Sequence, residues 1–289
     1  MEVNRTRRRR SARRSWPGSW KDRLLGYSAG VLAIVMAAFF ILPFAALLWR
    51  AATLAGGEPA GELSILPAVL LSLGTTAVAI LLIVVLGTPL AYFLARYEFP
   101  LKRALTVLIE MPIVMPPVVA GLALLAAFGR RGLIGLPLAG LGITITFTSA
   151  AVVLAQVFVS APFYIRSAQS RFETLPREYE DAAAVDGASR WVSFWYVILP
   201  QSRRALLTGL ILSWARALGE FGATILFAGN LQGRTQTMPL LVYGALERDL
   251  GVTFMTALIL LGLAATAFSF TRWLSGTERD EADPAAWTP

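Results

Sequence analysis

The sequence predicts an all-α, polytopic membrane protein with six transmembrane helices and both termini in the cytoplasm. Three observations lead there. Of the 289 residues, 56% are hydrophobic and only 15% charged, an apolar share that a soluble domain of this size rarely reaches. Six apolar windows are each long enough to cross a ~30 Å hydrocarbon core as a helix. Lys and Arg are also shared unequally between the two sets of connecting segments.

Residues 1–26 form a basic arm containing "RRRRSARRS", and nine of the 26 basic residues fall within the first 23 positions. A clustered arm ahead of a hydrophobic span meets anionic headgroups and fixes topology, so the net charge of +8 does not call for nucleic acid. A secretory or twin-arginine signal is the competing reading. The run that follows is long enough to span, and further spans come after it, which argues against a cleaved signal. The windows run Tyr27–Trp49, Leu66–Ala95, Ala104–Phe128, Ile145–Ser167, Ala205–Phe227 and Val252–Leu274. In lipid they must be helices, since open strands leave backbone groups unpaired, and none alternates as a barrel strand does. Residues 27–274 then make a transmembrane domain, with a long loop at 168–204 and a tail at 275–289. Twenty Lys and Arg lie in the arm, the second loop, the stretch Arg166–Arg204 and the C-terminal end from Arg272, against five in the other loops, with Arg216 inside a span counted on neither side. The positive-inside rule therefore places both termini and the long loop in the cytoplasm of a multi-pass plasma membrane protein.

Several chemistries are excluded. The chain has no cysteine and no histidine, which removes disulfides, thiolate chemistry, His–metal centres and Ser–His or Cys–His pairs. No G-x-x-x-x-G-K-[ST] phosphate cradle occurs, so ATP hydrolysis by this chain is not expected. No catalytic set and no metal site are expected. A channel calls for a filter-like loop or a charged ring, and neither is evident. An ion-coupled secondary transporter calls for a mid-membrane acid and an internal repeat. No repeat is apparent, and Glu220, the candidate acid, has Arg216 beside it.

The long loop carries "EYEDAAAVDGASRWVSFWYVILP", Glu178–Pro200. It reads as two short helices joined at a glycine. Thr174 is placed to cap the first, Pro176 suits its opening turn, and Glu178, Glu180 and Asp181 favour its positive end. Gly187 suits a left-handed terminus. Ser189 is placed to cap the second helix, where Trp191, Phe194, Trp195 and Ile198 share one apolar face. Pro200 disturbs the helix at the entry to the fifth span. With Ala182, Ala183 and Ala184 presenting a flat surface, the segment is either a knob for another protein to grip or an amphipathic elbow lying at the headgroups. The spacing Asp181-Ala182-Ala183, three residues, Gly187, nine residues, Val197, one residue, Leu199-Pro200 resembles the cytoplasmic loop signature of ABC importer permeases. Asp181 and Val197 stand where that signature usually has Glu and Ile. The resemblance implies a coupling helix seated in a groove of a cytoplasmic ATPase, involving Glu178, Asp181, Ala182, Ala183, Gly187, Leu199 and Pro200.

"MPIVMPPVVAGLALLAAFG" (Met111–Gly129) and "ARALGEFGATILFAGNLQGRTQTMPLLVYGAL" (Ala215–Leu246) are similar to the molybdate/tungstate permeases, with sulfate permeases close behind. "LGTPLAYFLARY" (Leu86–Tyr97) is shared more widely. This resemblance implies the ABC importer permease fold in a prokaryotic plasma (inner) membrane. It also implies a second copy of the permease, two ATP-binding cassette subunits carrying ATP and Mg, and an extracytoplasmic oxyanion-binding protein. No cofactor is expected on this chain.

Two candidate gate elements stand out. Pro112, Pro116 and Pro117 remove backbone donors within the third span, with Pro116 ~18 Å into it at ~1.5 Å per residue. They mark either a kink or a pathway lining. Arg216 and Glu220 are the only opposite charges within one predicted span. With Gly219 and Gly222 beside them, they read as a neutralised structural pair or as a gate contact. Thr75, Thr76, Gln156, Ser160 and Ser213 read as polar glue between helices rather than ligands. The segment Asn230–Tyr243 is expected outside, with Arg234, Thr235 and Thr237 as candidate contacts for the binding protein.

Overall fold

The computed structural model describes residues 20–54 and 65–280; most of the basic arm, the 55–64 connection and the last nine residues lie outside them. Every regular element among the described residues is helical. The chain divides into two units, one ending at Thr53 and the other beginning at Leu54.

The first unit is built on α1, Trp20–Leu54. Val31, Leu32, Ile34, Phe39, Phe40, Ile41 and Leu42 are all exposed. A helix that is apolar and exposed on every side suits a hydrocarbon surrounding rather than water.

The second unit starts with α2, Ile65–Arg96, which ends in a turn leading to α3, Lys102–Val114. The third predicted span is not continuous. Met115 and Pro116 are both extended, with ψ of 131° and 135°, and α4 restarts at Pro117 and runs to Phe128. A residue before proline is pushed out of the helical region, and two such residues in succession break the helix rather than kink it. A short α5 (Gly135–Gly140) follows, and Thr148 then caps the long α6, Ser149–Thr174. The connection to the fifth span contains α7 (Glu178–Val185) and α8 (Arg190–Ser193), which widens into a π-helical turn at Phe194–Ile198. There Leu199 N–H bonds Phe194 O. The widened turn delivers the chain into α9, Leu199–Leu218, with Pro200 in its first turn.

The fifth predicted span is also interrupted. α9 ends at Leu218, Gly219 to Phe221 form a break, and α10 covers Gly222–Phe227. α11 (Met238–Leu246) and α12 (Leu250–Asp280) complete the unit. By length and apolar composition α1, α2 and α6 can each cross a membrane, while α4 and the apolar part of α12 are shorter.

α6 is the hub, packing against α2, α3, α9, α10 and α4. One core joins Ile83, Ala91 and Leu94 to Tyr164, Ile165, Ala168 and Phe172, with Leu175 and Ile198 at its end. A second joins Ala120 and Leu124 to Ala151, Val152, Ala155, Val159, Ala223 and Phe227. Small residues let the helices approach. A Cβ on Gly209 would sit 2.7 Å from Ser167 Cβ and 3.2 Å from Tyr164 Cα. The polar residues between helices act as glue. Gln156 Nε2 donates to Thr76 Oγ1 (3.1 Å) and to Ala217 O (3.2 Å), and Ser213 Oγ donates to Ser160 O (2.8 Å). Thr75 turns back on its own helix, donating to Leu71 O.

Candidate functional site

α7 opens with Glu178, Glu180 and Asp181, where carboxylates complement the N-terminal end of a helix. Thr174 does not cap it, contrary to expectation. It is the last residue of α6, and its hydroxyl donates back to Arg171 O. The far end of α7 is closed by Gly187 at φ +87°. Ala188 N–H reaches Ala183 O (2.9 Å) and Gly187 N–H reaches Ala184 O (3.0 Å). This paired closure needs a left-handed residue, which glycine supplies without a Cβ penalty. Ser189 Oγ then accepts from Val192 N–H, capping α8 as expected.

No residue of α7 is buried. Ala182 and Ala184 are exposed and Ala183 is half-buried, while Val185 is 87% exposed. The expected apolar face after Ser189 is divided. Ile198 is buried and Phe194 packs on Tyr92 and Phe172, whereas Trp191 and Trp195 point outward and meet edge to face, 5.6 Å apart. Leu199 is half-buried and Pro200 exposed. The hairpin thus presents bare helix and two indoles away from the chain.

Polar contacts hold α7 against the transmembrane helices. Glu180 Oε1 lies 2.6 Å from Arg96 Nη2, and Glu180 Oε2 accepts from the Tyr92 hydroxyl at 3.2 Å. Arg96 Nη1 also donates to Leu175 O just beyond α6, at 3.2 Å. In the nearby turn, a 2.7 Å hydrogen bond from the Lys102 ammonium, reinforced by its charge, lowers the Glu98 carboxyl below the usual carboxylate range. Sequence reasoning did not single out Glu180 and Arg96 as partners, because no local spacing links positions that far apart. It also missed Glu110 of α3, which pairs with Arg166 of α6. An acid within a predicted span was itself a signal that a partner should exist.

The gate candidates from the third and fifth spans come together. A Cβ on Gly222 would stand 2.4 Å from Pro117 Cβ, and one on Gly121 would stand 2.9 Å from Leu226 Cβ. The half-helices α4 and α10 therefore pack backbone to backbone, with Phe128 on Phe227 at their far ends. Pro116, Pro117 and Gly219 are exposed, whereas Glu220 and Gly222 lie behind them, buried.

Arg216 Nη1 contacts Glu220 Oε2 at 2.6 Å. The pair is not two side chains on one continuous helix face, since Glu220 lies beyond the end of α9. Its Oε1 accepts from Ala223 N–H at 2.7 Å, so the carboxylate also caps α10. Arg216 sits in the last turn of α9, where a cation complements the dipole. The side chain of Glu220 is 1% exposed and that of Arg216 30%.

The segment after α10 is tied down from within. Thr235 Oγ1 accepts from Leu231 N–H and donates to Gly229 O, and Met238 N–H donates to Ser72 Oγ. Thr235 and Thr237 are buried and thus unavailable as surface contacts in this chain, which corrects the expectation for them. Of the three expected contact residues Arg234 is exposed.

Comparison with known proteins places this architecture. Residues 87–279 match the family model described as binding-protein-dependent transport system inner membrane component. Over 206 residues the chain is 46% identical to the molybdenum transport system permease protein ModB of Mycobacterium bovis, covering 68% of this chain and 78% of that protein. It is 35% identical over 240 residues to the sulfate transport system permease protein CysT of Escherichia coli, covering 82% and 84% respectively. Among solved structures, it shares a fold with a chain of a bacterial ABC transporter involved in importing the acidic polysaccharide alginate. The TM-score is 0.69 at 15% identity, covering 89% of this chain and 96% of that one. The chain belongs to the binding-protein-dependent transport system inner membrane component family, the permeases of ABC importers.

Proposed function

We propose that this chain forms half of the translocation path of an ABC importer for a tetrahedral oxyanion, molybdate or tungstate, in the prokaryotic plasma membrane. It works as a homodimer of six-span subunits with both termini inside, together with two ATPase subunits and an extracytoplasmic binding protein. The observation that carries the reading is the α7 hairpin. It is a short helix with no buried residue, closed by a left-handed glycine and set on the side of the membrane where the charge bias places the cytoplasm. A surface of this kind serves a groove on another protein. ATP and Mg belong to that partner.

Greater identity to a molybdenum permease than to a sulfate permease supports the choice of cargo. Sulfate or thiosulfate is the second reading, favoured by the longer span of similarity to CysT. The paired helix breaks are the gate. Pro116, Pro117 and Gly219 face the path, and Arg216 is neutralised by Glu220 so that a dianion is passed rather than trapped. Affinity resides in the binding protein, which meets the outer surface near Arg234. Uptake into proteoliposomes holding permease, ATPase and binding protein tests the reading. ATP-dependent molybdate uptake that excess tungstate suppresses and excess sulfate leaves intact is expected. Uptake suppressed equally by sulfate moves the assignment to the second reading, and uptake without ATP refutes the ABC mechanism.

A further inference from the structure

We propose that Arg96 and Glu180 form the latch that transmits movement of α7 into the membrane helices, with Arg96 and Glu180 as positioning residues. The proposal rests on the coupling role assigned to α7 above. Because α7 buries no residue, close packing does little to fix its angle against the rest of the chain. Directional contacts must do so. Glu180 stands in the first turn of α7, where its charge is favoured, and Arg96 is the last residue of α2, where a cation is favoured. The two helix ends thus face one another with complementary charges already in place.

Arg96 makes more than one tie. Its side chain is 8% exposed, and its fork reaches Glu180 through Nη2 and the Leu175 carbonyl through Nη1. The Arg96 carbonyl in turn accepts from Arg177 Nη2, at 3.5 Å, just ahead of α7. One guanidinium therefore joins α2, the end of α6 and α7. A lysine presents a point charge and cannot make both contacts in this geometry. The joined helices lead to the gate. α6 carries Gln156, which donates to Ala217 O one residue before the end of α9, and α2 carries Thr76, the other acceptor of the same amide. A tilt of α7 then pulls on two helices that both hold the fifth-span break.

The test uses the assembled complex with Glu180→Gln, Arg96→Lys and the exchanged pair Arg96→Glu/Glu180→Arg. Two quantities are read: hydrogen exchange across residues 178–188, and molybdate taken up per ATP hydrolysed. A charged hydrogen bond contributes ~1.5–3 kcal/mol, so each single variant should exchange roughly tenfold faster or more. Each should keep its ATPase bound and hydrolysing while uptake per ATP falls by about the same factor. The exchanged pair keeps opposite charges but loses the donor to Leu175 O and sets each charge at the unfavourable helix end. It should stay as uncoupled as the singles, and full recovery would overturn the three-way tie. Faster exchange with unchanged uptake per ATP overturns transmission through the latch, and unchanged exchange overturns the latch itself. Failure of the parent complex to stimulate ATP hydrolysis instead defeats the coupling reading of α7, and hydrogen exchange still judges the latch. Loss of folding is recognised by thermal unfolding of each variant beside the parent. Tyr92→Phe, which removes the second contact to Glu180 and leaves the ion pair, should fall between parent and singles; a loss as large as the singles' counts against a specific role for the pair.

Discussion

Removing Arg216 should harm the protein more than removing Glu220, and the asymmetry follows from burial. Arg216→Ala leaves a carboxylate whose side chain is 1% exposed with one remaining donor, Ala223 N–H. Breaking a buried pair in this way costs about 3–5 kcal/mol. Glu220→Ala leaves an arginine that is 30% exposed and able to reach solvent. Its cost is the α10 cap, about 1 kcal/mol, plus a charged hydrogen bond of about 1.5 kcal/mol, or roughly 2–3 kcal/mol together. Arg216→Met with Glu220→Gln removes both charges but keeps an amide oxygen to cap Ala223, and should return to within about 1 kcal/mol of the parent. Arg216→Met with Glu220→Ala lacks that oxygen and should stay about 1 kcal/mol lower. Denaturation in mixed detergent measures the order, and vesicle uptake on the Met/Gln variant tells a structural pair from a gate. Full transport shows that the pair only supports the break, whereas a stable protein that fails to transport shows a moving contact. Equal stability of parent and both single variants would refute the reasoning, since it would mean that water already reaches Glu220.

Gly187→Leu should abolish ATPase stimulation while leaving the permease folded, because α7 closes through φ +87° at a site with open space around it; normal stimulation with normal assembly contradicts this. Gly209→Val should destabilise by about 1–3 kcal/mol through overpacking against Ser167 and Tyr164, measured by the same denaturation. Gly222→Ala should slow uptake and lower stability, because the new methyl meets Pro117 Cβ, and Pro117→Gly in the same chain, which removes that carbon, should relieve part of both losses. Cysteines placed at Val185 and Leu133, each 87% exposed in a chain without native cysteine, should label from the cytoplasm and from outside respectively; the reverse pattern overturns the topology.

What could be read in advance was what depends on local order. Ser189 capping α8, Gly187 ending α7, and Gln156 and Ser213 joining helices each follow from chemistry carried within a few residues or from the cost of a bare polar group in lipid. The misread features show where a window of apolar residues is blind. Apolar residues flank Met115–Pro117 on both sides, so polarity marks no break there, and at Gly219–Phe221 the lone charge of Glu220 is outweighed by the apolar run around it. Met115 before Pro116 was the available sign of the first break; Glu220 three residues before Ala223, as a cap, was the sign of the second. Thr235 and Thr237 were assigned outward on polarity, yet polar side chains also serve to bind a loop to itself, as Thr235 does. Arg96 with Glu180 and Glu110 with Arg166 are long-range pairings set by how the helices pack, and no reading of neighbours supplies them.

The seam between α4 and α10 has a consequence for how this protein can change over generations. Pro117 with Gly222, and Gly121 with Leu226, occupy a shared volume with no slack. A substitution that enlarges one of them has to be matched by a loss across the seam, so single-step paths are closed there while paired ones stay open. A search for variants that admit a bulkier cargo would therefore gain more from varying these four positions together than from scanning each in turn.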